Sequence, residues 1–115
     1  MIYDLEERLC KFSKSIIEFI KTAKKSQMSE NALMQLLRSG TSIGANYCEA
    51  DNSESKKDFI HKIGICRKES KETKYWLKII EYLFPNEIEK ISPLQQEAKE
   101  INLILNSIYI KLKNG

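Results

Sequence analysis

From Phe59 to Phe84 the chain places Phe59, Ile63, Cys66, Ser70, Thr73, Leu77, Ile80 and Phe84 at strictly alternating steps of four and three. That spacing holds one side of an α-helix against a partner for about seven turns, and it has no use in a strand, whose side chains repeat every two residues. A stripe this long is stable only when other amphipathic helices cover it. The rest of the chain supplies them. Ile2, Leu5, Leu9, Phe12, Ile16, Ile20 and Ala23 recur at helical steps within a segment expected to run from Tyr3 to Lys25. Leu33, Leu37, Gly40, Gly44 and Tyr47 share a face of a second helix, and Leu94, Ala98, Ile101, Leu105, Ile108 and Leu112 give the seam of a fourth.

The punctuation between these stripes is short. Ser26-Gln27-Met28 is read as a connection, with Ser29 as the cap of helix two. Asp51–Glu54 is the next connection, and Ser55 followed by Asp58 has the spacing of a capping box opening helix three at Lys56. Pro85 stops helix three. Ser92, Pro93 and Gln95 then read as cap, first helical residue and box closure of helix four. Short connections make neighbouring helices antiparallel, so the expected fold is all-α, an antiparallel up-and-down four-helix bundle filling residues 1–115 as a single domain. Only four glycines and two prolines are present, which disfavours a β-sandwich. Ser70 and Thr73 interrupt the helix-three seam and predict a hydrogen-bonded layer there.

No stretch approaches the roughly 20 apolar residues of a membrane helix. The acidic N-terminus lacks a signal-peptide pattern, so the expected location is cytoplasmic, with no membrane partner. Cys10, Cys48 and Cys66 are far apart and lack metal or redox spacing, so all three are expected to be small buried residues.

Within helix two lies a run of small residues, Arg38-Ser39-Gly40-Thr41-Ser42-Ile43-Gly44-Ala45-Asn46. Two glycines on one helix face cost about 1 kcal/mol each relative to alanine, a cost expected where a neighbouring helix packs close to the backbone. Together with Cys48-Glu49-Ala50, Ser55-Lys56-Lys57-Asp58-Phe59-Ile60-His61-Lys62 and Lys68-Glu69-Ser70-Lys71-Glu72-Thr73-Lys74-Tyr75-Trp76-Leu77, this run resembles the bacterial four-helix bundle proteins. These are also called 23S ribosomal RNA intervening-sequence proteins, a group that includes the diversity-generating-retroelement accessory protein. The resemblance implies a four-helix subunit assembling into a homopentamer. It does not imply an enzyme. The retroelement relative brings in a reverse transcriptase as a further partner.

Helix three carries more than its seam. Ile65, Trp76, Ile79 and Leu83 point to a different sector. In a monomer they would stand in water, unless helix three lies at the centre of a broad core. With the pentamer that the resemblance implies, they become the candidate oligomer interface. Leu103, Ile104 and Ile110 extend the apolar surface of helix four beyond its seam in the same way.

Charge is uneven as well. Lys56–Lys78 holds eight Lys or Arg against three Asp or Glu, a net +5, while the remainder of the chain is −2. Arg67, Lys71, Lys74 and Lys78 step four, three, four and form a stripe beside the seam, with Lys56 on its extension. Such a stripe, repeated around an oligomer, would bind RNA or DNA phosphates through counterion release. The plainer reading is a solvated face in which Glu69, Glu72 and Glu81 pair with some of the lysines at helical spacing. No zinc finger, helix-turn-helix or RNA-binding aromatic signature is present, so binding would follow backbone and shape with little base specificity.

Catalytic readings fail on context. Gly40-Thr41-Ser42-Ile43-Gly44 matches the nucleophile-elbow spelling, but that chemistry needs a strand before the serine, whereas both flanks here are helical. Helix packing explains the glycines, and Ser42 is expected to bond the carbonyl one turn back. One histidine, His61, and three dispersed cysteines give no ligand pair at zinc spacing, and a single histidine cannot supply the paired Glu-x-x-His of a di-iron site. No cofactor is expected. Asn46 and Glu49 read either as a buried polar network or as part of a ligand site. The leading expectation is a non-enzymatic, oligomeric, nucleic-acid-associated protein. The competing one is a structural or protein-binding oligomer.

Overall fold

The computed structural model describes residues 3–115, with side chains from Leu5 onward. Ile2, read above as part of the first stripe, lies outside the described residues. Four helices follow one another: α1 (Tyr3–Thr22), α2 (Gln27–Asp51), α3 (Lys56–Leu83) and α4 (Ile88–Asn114). A 3₁₀ turn, Pro85–Glu87, joins the last two. The described residues contain no strand, and they pack into a rod of 45 × 20 × 20 Å. The all-α four-helix bundle is therefore the observed fold.

The seams meet along the axis of the rod. Leu9, Ile16, Leu33, Leu36, Ile43, Ile63, Leu77, Ile80, Ile91, Ile101 and Leu105 are almost wholly excluded from solvent. The stripe of α3 holds throughout its length: Ile63, Cys66, Ser70, Thr73, Leu77 and Ile80 are all buried, and Phe59 and Phe84 pack at its ends.

Three helix boundaries differ from expectation. The cap of α2 is Ser26. Its Oγ accepts from the Ser29 N–H at 3.2 Å, and Ser29 Oγ accepts from the Ser26 N–H at 2.9 Å. Ser29 thus closes a reciprocal box from inside the helix and takes the part usually played by Glu or Gln. Helix α1 ends at Thr22, three residues early, leaving Lys25 to donate from Nζ to the Ile20 carbonyl at 3.0 Å.

The third difference is the start of α4. Ser92-Pro93 does not open the helix, which begins at Ile88 and carries Pro93 inside it. Gln95 closes no box and instead donates to Glu81 Oε1 at 2.9 Å. The early start carries Ile91 into the core at 0% exposure. Burying an isoleucine is worth about 1.5–3 kcal/mol, comparable to the roughly 3 kcal/mol cost of an interior proline. The Ser55 cap does form, with Oγ accepting from the Asp58 N–H at 3.0 Å.

Candidate functional site

The glycines of the small-residue run face α1. A Cβ on Gly40 would stand 2.2 Å from Ile16 Cδ1, and one on Gly44 would meet Leu9 Cβ at 3.5 Å and the Leu9 carbonyl at 3.8 Å. Ser13 Oγ reaches the Gly40 carbonyl at 3.5 Å across the same crossing. Two hydroxyls of this run bond one turn back: Thr41 Oγ1 donates to the Leu37 carbonyl at 2.7 Å, and Ser39 Oγ to the Leu36 carbonyl at 3.5 Å. Ser42 Oγ instead accepts from Asn46 Nδ2 at 3.0 Å. Asn46 and Glu49 form no common network: Asn46 bonds only within its own turn, and Glu49 pairs with Lys62 of α3 at 2.8 Å.

The polar interruption of the α3 seam is a hydrogen-bonded layer, as its residues foretold. Thr73 Oγ1 donates to Ser39 Oγ of α2 at 3.0 Å, and Asn102 Nδ2 of α4 donates to Ser70 Oγ at 2.7 Å. The layer therefore ties α2 and α4 to the middle of α3, with no buried side-chain polar atom left unpaired among the described residues.

The basic stripe lies on the α4 side of α3, and its members have different surroundings. Lys56, Lys71 and Lys78 are exposed. Lys74 is half-buried and points Nζ at Asn102 Oδ1, 3.5 Å away. Arg67 is half-buried, with its guanidinium 4.0 Å above the centre of the Tyr109 ring. From Lys56 to Lys78 the stripe extends about 33 Å at 1.5 Å per residue.

The carboxylates of this part of α3 have partners on other helices. Arg38 of α2 pairs with Glu69 at 3.1 Å and also with Glu72, whose carboxylate further accepts from Trp76 Nε1 at 3.0 Å. The Arg38 hydrogen bond, helped by that of Trp76, holds Glu72 below the usual carboxylate range. Glu81 accepts from Gln95. Among the described residues, Lys56, Arg67, Lys71, Lys74 and Lys78 form no ion pair, whereas Arg8 is clamped by Glu97 at 2.7 Å and Glu100 at 2.8 Å. The first of these bonds is the main reason the Arg8 pKa is raised.

The second face of α3 is less exposed than its spacing implied. Trp76, Ile79 and Leu83 are half-buried and pack against the core, whereas Ile65, three turns earlier and also half-buried, lies with Gly64 and Tyr109 along a groove between α3 and α4. These residues do not stand in water in the single subunit, because α3 is covered over more than one sector. Exposed large hydrophobic side chains include Tyr75 and Tyr82 of α3 itself and, on α4, Leu103 and Ile110, seven residues apart and 59% and 53% exposed. An open cleft between α1 and α4, floored by Phe12, Phe19, Pro93 and Leu94, adds apolar surface on another side of the rod.

The cysteines also divide. Only Cys66 is buried, where desolvation pushes its thiol up to about 12. Cys10 and Cys48 are exposed, contrary to expectation, because they fall outside the stripes of α1 and α2. Among the described residues no group of three His, Cys, Asp or Glu could hold a metal ion, and no helix is long and apolar enough to cross a membrane.

Tyr109 is the residue that periodicity missed. It sits next to seam residue Ile108, and nothing in local spacing pairs it with Arg67 on another helix.

The fold and these contacts can be set beside known proteins. No curated protein matches the chain. A solved structure from Bacteroides thetaiotaomicron, described as a protein of unknown function from the S23 ribosomal protein family, is 34% identical. The alignment covers 91% of this chain and 97% of that one, with a TM-score of 0.80. The model of the 23S rRNA-intervening sequence protein family matches residues 4–107. With nearly the whole bundle inside that match, the chain belongs to the 23S rRNA-intervening sequence protein family.

Proposed function

We propose that this protein is a non-enzymatic, cytoplasmic bundle that self-associates and holds RNA or DNA through the basic face of α3, with little sequence specificity. One observation carries the reading. Among the described residues Arg67, Lys71, Lys74 and Lys78, with Lys56 beyond them, form no ion pair; only Glu81, three residues after Lys78, stands one helical turn from any of them, and it accepts from Gln95. A solvated helix face would pair its lysines with acids one turn away. Here Glu69 and Glu72 lie on another side of α3, against Arg38 of α2, which leaves a positive strip suited to a phosphate backbone. The resemblance to the retroelement accessory protein makes a reverse transcriptase a candidate second partner, and a homopentamer the candidate assembly.

The test is a salt series of binding to short single- and double-stranded RNA and DNA, with mass measured by light scattering in the same samples. Replacing Arg67, Lys71, Lys74 and Lys78 with glutamine should abolish a binding that falls steeply with salt. A well-formed oligomer that binds nothing at low salt would sink the reading. The competing reading, a scaffold for protein partners, draws its support from exposed Leu103 and Ile110. It predicts association that is indifferent to salt.

A further inference from the structure

Beyond the stripe, α3 and α4 enclose an open groove of about 590 Å³ toward the first half of α3. Its charged lining is of one sign: Lys57, Arg67, Lys68 and, from α4, Lys113, beside His61 and with no carboxylate among the lining residues. Lys57, His61 and Lys68 belong to no part of the stripe read from sequence. They reach the groove because α3 turns them toward the end of α4.

Arg67 is the informative member. The chain has three arginines, and two are held by carboxylates: Arg8 by Glu97 and Glu100, Arg38 by Glu69 and Glu72. Arg67 is held by an aromatic face instead, 4.0 Å from the Tyr109 ring centre, and Lys113 Nζ lies 6.0 Å from the same ring. A guanidinium positioned by stacking keeps its edge N–H donors free for a planar or tetrahedral anion, a fork that suits phosphate oxygens. Gly64 makes room for this arrangement, since a Cβ there would approach Tyr109 Cε1 to 3.1 Å.

We infer that this groove is a phosphate seat, in which Arg67, oriented by Tyr109, and the surrounding Lys57, Lys68 and Lys113 grip a phosphodiester of a bound strand. The inference rests on the nucleic-acid reading above and adds a location to it. The strand is anchored at the Arg67–Tyr109 groove, with the exposed stripe lysines as its track. Tyr109 is a positioning residue, acting through Arg67.

The experiment is fluorescence anisotropy of a short labelled oligouridine with the full chain across a salt series. Lys68→Gln with Lys113→Gln should weaken binding about tenfold and make the log–log salt slope about 1.4 shallower, since each single-strand phosphate contact contributes about 0.7. Tyr109→Leu should weaken binding several-fold at unchanged net charge, and Tyr109→Phe should restore it. Lys11→Gln with Lys14→Gln on α1 removes the same charge outside the groove and serves as the reference. If the wild type binds and the Lys68/Lys113 variant matches that reference, the groove is overturned while the nucleic-acid reading stands. If the wild type fails to bind at any salt, both fall. Lys68 and Lys113 are exposed, so their variant folds even if Tyr109→Leu does not.

Discussion

At the scale of single residues, two glycines four apart have different tolerances. Gly44 has ordinary contact distance around a hypothetical Cβ, so Gly44→Ala should gain up to about 1 kcal/mol from helix propensity and raise the thermal midpoint. Gly40 faces Ile16, itself fully buried, so Gly40→Leu should overpack the α1–α2 crossing and cost about 1–3 kcal/mol or more. An unchanged midpoint for Gly40→Leu would refute the close crossing. The thiols make a second residue-scale case. Cys10 and Cys48 should react with an aromatic disulfide reagent in the native protein near pH 8, and Cys66 should not until the chain unfolds. The folded Cys66 thiol is raised to about 12 by burial, so the native state binds the extra proton. This group's contribution is intact below the unfolded value near 9 and is lost as pH rises above it. Rapid native labelling of all three would contradict the burial. The seam positions of Gly40, Gly44 and Cys66 were legible from spacing. The exposure of Cys10 and Cys48 was also available there, since neither falls on a stripe, and a general preference of cysteine for burial misled.

At the scale of elements, the helices were legible because apolar period and turn chemistry agree, and their boundaries went astray where two local signals competed. Ser26 and Ser29 can each cap a helix, and only the geometry of the turn decides that the two cap one another. Ser92-Pro93 has the chemistry of a helix start but lies within α4, because burial of Ile91 rewards an earlier one. Pro93→Ala should therefore restore an interior hydrogen bond and stabilise the protein by about 1–3 kcal/mol. A lowered thermal midpoint in that variant would show that the ring's packing in the α1–α4 cleft matters more. Between elements, Arg38 binds α2 to α3 through Glu72, whose folded pKa is depressed. A depressed carboxylate stabilises the fold fully above its unfolded value, near 4.3, and this contribution is lost as pH falls through the lower folded value. Glu72→Gln should flatten the acid limb of a stability–pH profile, and an unchanged limb would mean that the pair contributes nothing.

At the scale of the whole molecule, the proposed self-association has two candidate faces on the rod. If the second face of α3 builds the oligomer, Trp76→Glu with Ile79→Glu should lower the mass in solution. If exposed Leu103 and Ile110 do so, Leu103→Asp with Ile110→Asp should have that effect instead. Light scattering of the two variants separates them, and an unchanged mass in both would exclude both faces. The α3 variant has a second readout, since Trp76 and Ile79 also pack against their own core and their loss should reduce subunit stability. By itself the sequence determined that the chain is four antiparallel helices, that the middle of α3 is polar and that positive charge collects along it. These follow from period, punctuation and composition, which act over a few turns. Only the tertiary structure decided that Arg38 pairs with Glu69 and Glu72, that Tyr109 rather than a carboxylate holds Arg67, and that Trp76 is half-covered. Each of these depends on which side chains of separate helices come to lie opposite one another. That register is set by packing the whole core together.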